Sequence, residues 1–434
     1  MKLQDLFVPR RKISAGSPLA AARIEPGLYH YVRDAAGTPA RFHLRVDSTD
    51  TGLLVANAAA VAKLRASGVI IAKAVLEGQP DPSIVGRLTT VFRGVTADQA
   101  RRDVERVRDV ISKLESPKDS YPILNMADPA FSSVDVPLER PLSADVPLAE
   151  PERIVPLLDR LWELAIPHVT FVAGEGCNPQ WLIRAVERTE DLGLIAGVRI
   201  RGTDLLQGTL LADLATAGVD HVDVLYLSRD PSVHDALAGA GDHGAAVRAL
   251  SEIQRCEICA VAEVALVETT LHAIEETIES LVARDVINAA VFAVAAPERE
   301  KAEGPLSGGA LVQAAMLVEE SAEQHGVRLI WYPPLRFDPR LPLAQQVRRG
   351  PRSSGDSAIR LEPDGTVIPG RGPWQPAGNL MAGDWDSIRN EPSYQAYRRR
   401  VETDTHCDTC PGLAICAADC PRHPEGWADD RGKD

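Results

Sequence analysis

Between Pro141 and about Pro334 the chain alternates between short apolar runs and helical stretches. The runs are Leu142–Leu148, Val169–Ala173, Ala196–Arg201, Val222–Ser228, Cys259–Val267, Ala289–Ala295 and Arg328–Tyr332. Between them lie Ile154–Leu164, Trp181–Leu192, Thr209–Ala217, Ala245–Arg255, Leu271–Ala283 and Gly309–His325. Strand–helix–strand units pack as parallel, right-handed crossovers, so this alternation implies an α/β fold with helices outside a parallel sheet. Six or seven such units suit a partial or open α/β barrel, and a doubly wound sheet is the alternative. In either arrangement, function is expected at the carboxyl ends of the strands.

The flanks follow other rules. Residues 1–25 carry little pattern and read as a tail. Leu28–Val32 and Arg41–Val46 alternate about an Ala-Ala-Gly-Thr-Pro turn, which predicts a hairpin, and Leu53–Val55 adds a third short strand. Ala58–Leu64 and Val69–Leu76 read as helices. Asp98–Leu114 is amphipathic, with Val104, Val107, Ile111 and Leu114 on one stripe. Residues 26–116 are therefore expected to form a small α+β domain. Prolines at 117, 122, 129 and 137 mark residues 117–140 as a linker, followed by the α/β region at 141–335. Residues 336–356, rich in Arg, Pro, Ser and Gly, read as a second linker. Asp364-Gly365 inside Ile359–Ile368 signals another hairpin, which opens a C-terminal segment at 357–434. Trp385–Val401 reads as partly helical.

Lys and Arg total 47 against 61 Asp and Glu, a net charge of −14 over 434 residues. So acidic a chain is a poor generic ligand for phosphate backbones or anionic lipid, which points away from nucleic acid and membrane partners. Apolar stretches such as Ile287–Pro297 fall well short of the ~20 residues that span a bilayer. Residues 1–16 contain Arg10, Arg11 and Lys12 but no apolar core of a secretory signal. A cytoplasmic location is expected.

Four of the seven cysteines fall at Cys407-x2-Cys410-x5-Cys416-x3-Cys420. Thiols that stay reduced and cluster this closely argue for a metal centre. Soft thiolates select zinc or an iron–sulfur cluster, and the spacing alone leaves both open. Cys256 and Cys259 sit at a helix-to-strand junction and read as small core residues. Cys177 reads as a buried or loop thiol. Candidates for acid–base work in the α/β region are His168, Glu175, Asp223, His234 and Glu263. His234 and Asp235 read as a solvated loop, His168 reads as structural, and no pair has a spacing that forces catalysis.

Residues 357–421 resemble the SPASM domain, a C-terminal extension of radical S-adenosylmethionine (SAM) enzymes that modify peptides. The match is carried by Glu362-Pro-Asp-Gly-Thr-Val-Ile-Pro369, Gly378-Asn-Leu, Trp385-Asp-Ser-Ile388, Tyr394 and the cysteine run ending in Cys420-Pro421. The middle is similar to a radical SAM partial barrel. Val169-Thr-Phe-Val-Ala-Gly-Glu175 stands at that family's Gly-Gly-Glu-Pro loop, and Val222–Ser228 with His234–Gly239 at its fourth strand and following loop. Residues 26–116 resemble the PqqD-like peptide-binding domain, or RiPP recognition element, through Gly52-Leu-Leu-Val-Ala-Asn57 and Asp103-Val104.

Three departures decide what the resemblance implies. The family's CxxxCxxC motif, which holds the cluster that reduces SAM, is missing: Leu148-Ala-Glu-Pro-Glu-Arg-Ile154 runs almost directly from strand to helix. The SAM loop is altered to Ala173-Gly174-Glu175-Gly176, so the family role of Glu175 toward the SAM amino group is vestigial. Gly370 and Gly383 stand where SPASM cysteines are expected, and residues 421–434 contain none. Four cysteines can hold one cluster, with Cys420 repurposed or replaced by Asp419 or His423. The implied protein is a pseudo-radical-SAM scaffold with one auxiliary iron–sulfur cluster, expected to be [4Fe–4S], and no bound SAM. Its implied partners are a precursor or leader peptide and a catalytic radical SAM protein. An acidic leader would lie along Arg41, His43 and Arg45, beside the Asp98–Leu114 helix. A zinc-stabilised structural subunit and an enzyme using another barrel cofactor are the alternatives.

Anaerobically purified protein should contain iron and acid-labile sulfide, both lost on replacing Cys407, Cys410, Cys416 and Cys420. Stoichiometric zinc without sulfide would reject the iron–sulfur reading.

Overall fold

The computed structural model describes residues 24–35, 38–57, 60–115, 139–296, 302–355, 357–371, 374–403 and 415. The chain divides into two units, residues 1–128 with 162–167, and residues 129–161 with 168–434.

In the first unit, four antiparallel strands follow chain order: β1 (Gly27–Ala35), β2 (Thr38–Val46), β3 (Gly52–Ala56) and β4 (Ala60–Leu64). Helices Ala66–Leu76, Asp81–Val91 and Ala97–Glu115 follow. Alternation along β2 sends Phe42, Leu44 and Val46 into a core with Leu54, Ile71, Ile84 and Leu88. The expected stripe of the last helix, Val104, Val107, Ile111 and Leu114, packs into the same core. Ala58–Leu64 corrects the sequence reading. Its second part is strand β4, because Val61, Ala62 and Leu64 are buried against β3 and ladder pairing overrides the helical preference of alanine. The helix Asp81–Val91, opened by Pro80 and Pro82, is an addition.

The second unit is a mixed α/β structure built on a parallel sheet. Its strands are β5 (Ser143–Pro147), β6 (His168–Val172), β7 (Ile195–Ile200), β8 (His221–Leu225), β9 (Cys259–Leu266), β10 (Asn288–Ala295) and β11 (Arg328–Trp331). They pair in chain order, all parallel. Their runs are almost continuously apolar because helices cover such sheets and both faces are buried. The stretch read as a second linker is structured: it holds the short strand β12 (Leu335–Arg336), paired with β10, and a helix at Leu343–Arg349. Val347 and Leu343 from that helix pack on Leu225, Val261, Phe292 and Val294, which explains why a loop-like composition becomes ordered.

The C-terminal hairpin forms as its Asp-Gly signal predicts, from β13 (Ala358–Leu361) and β14 (Thr366–Pro369), and β15 (Gly378–Asn379) pairs with β14. β13 also pairs in parallel with β5, so the segment extends the main sheet. Helices Trp385–Asn390 and Pro392–Thr403 follow. Among the described residues, no helix is long and apolar enough to cross a membrane.

Ile71 is fully buried in the first core. Ile71→Ala should lower stability by about 2–5 kcal/mol in urea unfolding, the usual cost of a truncated core side chain.

Candidate functional site

Each of β5, β7, β8 and β9 interrupts its apolar run with an ionisable residue: Asp145, Arg199, Asp223 and Glu263. All four are buried. The register sets Arg199 beside Asp223, and the Arg199 guanidinium is the hub. Its Nε lies 2.6 Å from Glu263 Oε1, and its Nη2 lies 3.7 Å from Asp145 Oδ1. It also lies over the Tyr332 ring, 4.9 Å from the centroid. The Tyr332 hydroxyl donates to Asp223 Oδ2 at 2.9 Å, and Asp223 Oδ1 faces His221 Nδ1 at 2.7 Å. An ionised carboxylate only accepts, so Nδ1 carries a proton. His221 Nε2 meets His168 Nε2 at 2.8 Å, and one of the two donates. Asp145 Oδ2 accepts from the Ser354 backbone N–H at 2.6 Å and from its hydroxyl at 3.0 Å.

Burial and charge pull these groups in different directions. Burial pushes Glu263 up to about 7, with Arg199 offsetting part of the rise. Burial likewise raises Asp145, against Arg199 and the two Ser354 hydrogen bonds. Burial would raise Asp223, but His221, Arg199 and the Tyr332 hydroxyl outweigh it and hold Asp223 below the usual carboxylate range. Burial would lower His221, yet the charge and hydrogen bond of Asp223 raise it. Tyr332 is pushed well up by burial and by Asp223.

Glycine at 197 is what makes room for the imidazole. A Cβ there would lie 2.1 Å from His221 Nε2. The register places Gly197 directly beside His221.

The structure therefore joins three of the five expected acid–base candidates, His168, Asp223 and Glu263. It adds Asp145, Arg199, His221 and Tyr332, which sequence reasoning passed over. Their signal was one charged residue per apolar strand, where a fully buried sheet favours none.

Glu175 stands apart. It follows β6 in the exposed loop Gly174–Gly176, with its side chain 75% exposed and 3.9 Å from Arg201 Nη1. A Cβ at Gly174 would meet nothing within 4 Å, so the loop is sterically open to a ligand at the carboxyl end of β6. His234 is not in a solvated loop. It lies buried in the helix Pro231–Ala238, accepting from the Leu227 N–H through Nδ1 and pairing with Asp242 through Nε2. Both ring nitrogens are committed, so His234 is structural. Asp235 is also structural, accepting from the Gly241 and His243 N–H groups.

The basic strand is corrected too. β2 lies between β1 and β3, so it has no open edge. His43 and Arg45 are buried, His43 stacks on His30, and Arg45 pairs with Asp47 at 3.2 Å. Only Arg41, half-buried, retains access to solvent. Cys259 is exposed and Cys256 half-buried, so neither is the core residue expected, while Cys177 is a half-buried loop thiol. Cys407, Cys410, Cys416 and Cys420, with Asp419 and His423, lie outside the described residues. At Gly370, expected to be cysteine in a full SPASM domain, a Cβ would lie 2.7 Å from the Ala358 carbonyl oxygen and 2.8 Å from that of Gly355. That position does not accommodate a side chain without backbone movement.

The fold is similar to that of SuiB from Streptococcus suis. The SuiB structure bound to S-adenosylmethionine superposes with a TM-score of 0.53 at 12% identity, covering 93% of this chain and 99% of that one. SuiB bound to the precursor peptide SuiA gives 0.51 at 11% identity, with the same coverage. No family model and no curated protein matches the sequence. Likeness at this identity concerns the fold alone, a mixed α/β structure built on a parallel sheet.

Gly197→Ala should displace His221 and cost about 1–3 kcal/mol, the range for overpacking a buried site. Thermal unfolding checks this. Adding His221→Ala should recover part of the loss as a non-additive coupling.

Proposed function

We propose that this chain is an accessory, non-catalytic radical-SAM-like protein that binds a precursor peptide, a catalytic radical SAM partner, or both, in peptide modification. The observation that carries the reading is the turn after β5. The strand ends at Pro147 and the next helix starts at Pro151, so three residues stand where the family's cluster loop is expected. None of them is a cysteine. With no thiolates there, the chain has no means to hold a cluster that reduces SAM, even if SAM settles on Gly174 and Glu175. In this reading the seven parallel strands are a partial (β/α)6 barrel without its cluster loop.

Residues 26–116 serve as the PqqD-like peptide-binding domain. The SuiB fold with bound SuiA supports a peptide ligand for a chain of this shape. The peptide adds as a strand to an open sheet edge, where main-chain groups give affinity. β1 offers that edge: among the described residues it pairs only with β2, and its Val32 is 60% exposed. Residues 357–434 serve as a SPASM-like segment in which Cys407, Cys410, Cys416 and Cys420 hold one [4Fe–4S] cluster, or zinc. A cluster there would supply one-electron transfer to a partner.

Two measurements test this on the full chain. With a co-encoded precursor peptide, hydrogen exchange should slow at Gly27–Ala35. Protection confined to 141–335 would overturn the recognition role of 26–116. Incubation with SAM and dithionite should yield no 5′-deoxyadenosine, and its formation by the protein alone would overturn the non-catalytic reading.

A further inference from the structure

The buried cluster also connects two parts of the second unit. Asp145 on β5 has two sets of partners, one on each carboxylate oxygen. Its Oδ2 holds the backbone and hydroxyl of Ser354, four residues before β13. Its Oδ1 faces Arg199, which also pairs with Glu263 on β9. β13 in turn pairs with β5, and the Leu142 N–H donates to the Ser357 carbonyl at 2.8 Å. One guanidinium thus stands between two buried carboxylates, one of which anchors the C-terminal segment.

We propose that this arrangement is a pH-sensitive latch, in which the protonation of Glu263 decides how far Arg199 supports Asp145 and hence how firmly Ser354 and the strand Ala358–Leu361 are held against β5. With Glu263 neutral, Arg199 serves Asp145, whose charge strengthens both hydrogen bonds from Ser354. With Glu263 ionised, the two carboxylates compete for one cation. A buried carboxylate left short of its counter-charge is costly, and the cost falls on the Asp145–Ser354 junction.

The groups facing Glu263 are Arg199 on β7, Asp145 on β5, Asp223 on β8 and Tyr332 after β11. Behind Asp223 stand His221 and His168. With His221 protonated, two cations, Arg199 and His221, face three carboxylates, so one proton on the cluster balances the charge. The direction of the pH effect follows. Glu263 titrates above its ordinary value, at about 7, so its contribution to stability is complete below about 4.5 and is lost as pH rises through about 7. His221, also raised, acts in the same direction. Asp223, lowered, contributes above its ordinary value and is lost only in acid, below that window.

Hydrogen-exchange protection factors on the full chain test the latch at pH 6 and pH 8, with intrinsic exchange rates divided out. Protection at Ala358–Leu361 should fall by about tenfold across this interval, since one unit beyond the titration point is a factor of ten. Glu263→Gln, neutral at both pH values, should lose the Glu263 part of this fall and keep only the part that His221 carries. Ser354→Ala should lower protection more at pH 6 than at pH 8, since the hydroxyl bond it removes is the stronger when Arg199 serves Asp145, so the pH-dependent loss shrinks. Equal protection of the native chain at the two pH values, or a pH-dependent loss that survives undiminished in Glu263→Gln, would overturn the proposal. Should Glu263→Gln fail to fold, a loss in the native chain matched by an equal pH-dependent loss in Ser354→Ala would overturn it as well.

Discussion

A buried guanidinium with three buried carboxylates around it is the constraint on which the second unit depends. Desolvating one such ion costs several kcal/mol even after relaxation, and only close pairing offsets it. Arg199 meets that requirement with Glu263 at 2.6 Å, Asp145 at 3.7 Å and the face of Tyr332. Removing any one partner strands a charge in the interior. Strands β5, β7, β8 and β9 are thereby tied together by their side chains as well as by their ladders. β13 is brought into the same system through Ser354 and Asp145.

The cluster also bears on what the sheet can do. In an α/β fold, ligands are expected at the carboxyl ends of strands. Here the polar groups in the middle of the sheet are occupied with one another. His221 is bound to Asp223 and His168, and Tyr332 to Asp223. At the carboxyl ends of β8 to β10, Leu225, Leu227 and Val294 pack with Leu237 and Val347 from two helices. The Gly174–Gly176 loop after β6 stands open, with Glu175 beside Arg201. The interior of the second unit is held by structural charge pairs.

The first unit shows how burial can overturn a reading of exposed charge. Arg41, His43 and Arg45 alternate with Phe42, Leu44 and Val46, the usual mark of a strand with one wet face. Yet β2 is an inner strand, and His43 and Arg45 are as buried as their apolar neighbours. Alternation reports which side chains share a face. Whether that face meets water depends on what covers it, and no local pattern encodes that. Among the described residues the edge strands are β1 and β4.

What the amino-acid sequence determined by itself was the order and type of the elements. The seven parallel strands, most of their helices and the Asp364-Gly365 hairpin are local consequences of apolar period and turn chemistry, and they appear within a few residues of their expected bounds. The short turn at 148–150 was also legible, since it depends on chain length alone. Tertiary structure decided the rest. Asp145, Arg199, His221, Asp223, Glu263 and Tyr332 are spread over almost 190 residues, and only strand register and the absence of a side chain at Gly197 bring them together. Ala60–Leu64 became a strand because β3 offered a ladder partner, and residues 343–349 became a helix because an apolar patch lay beneath them. In each case a distant contact outweighed a local preference of at most about 1 kcal/mol per residue.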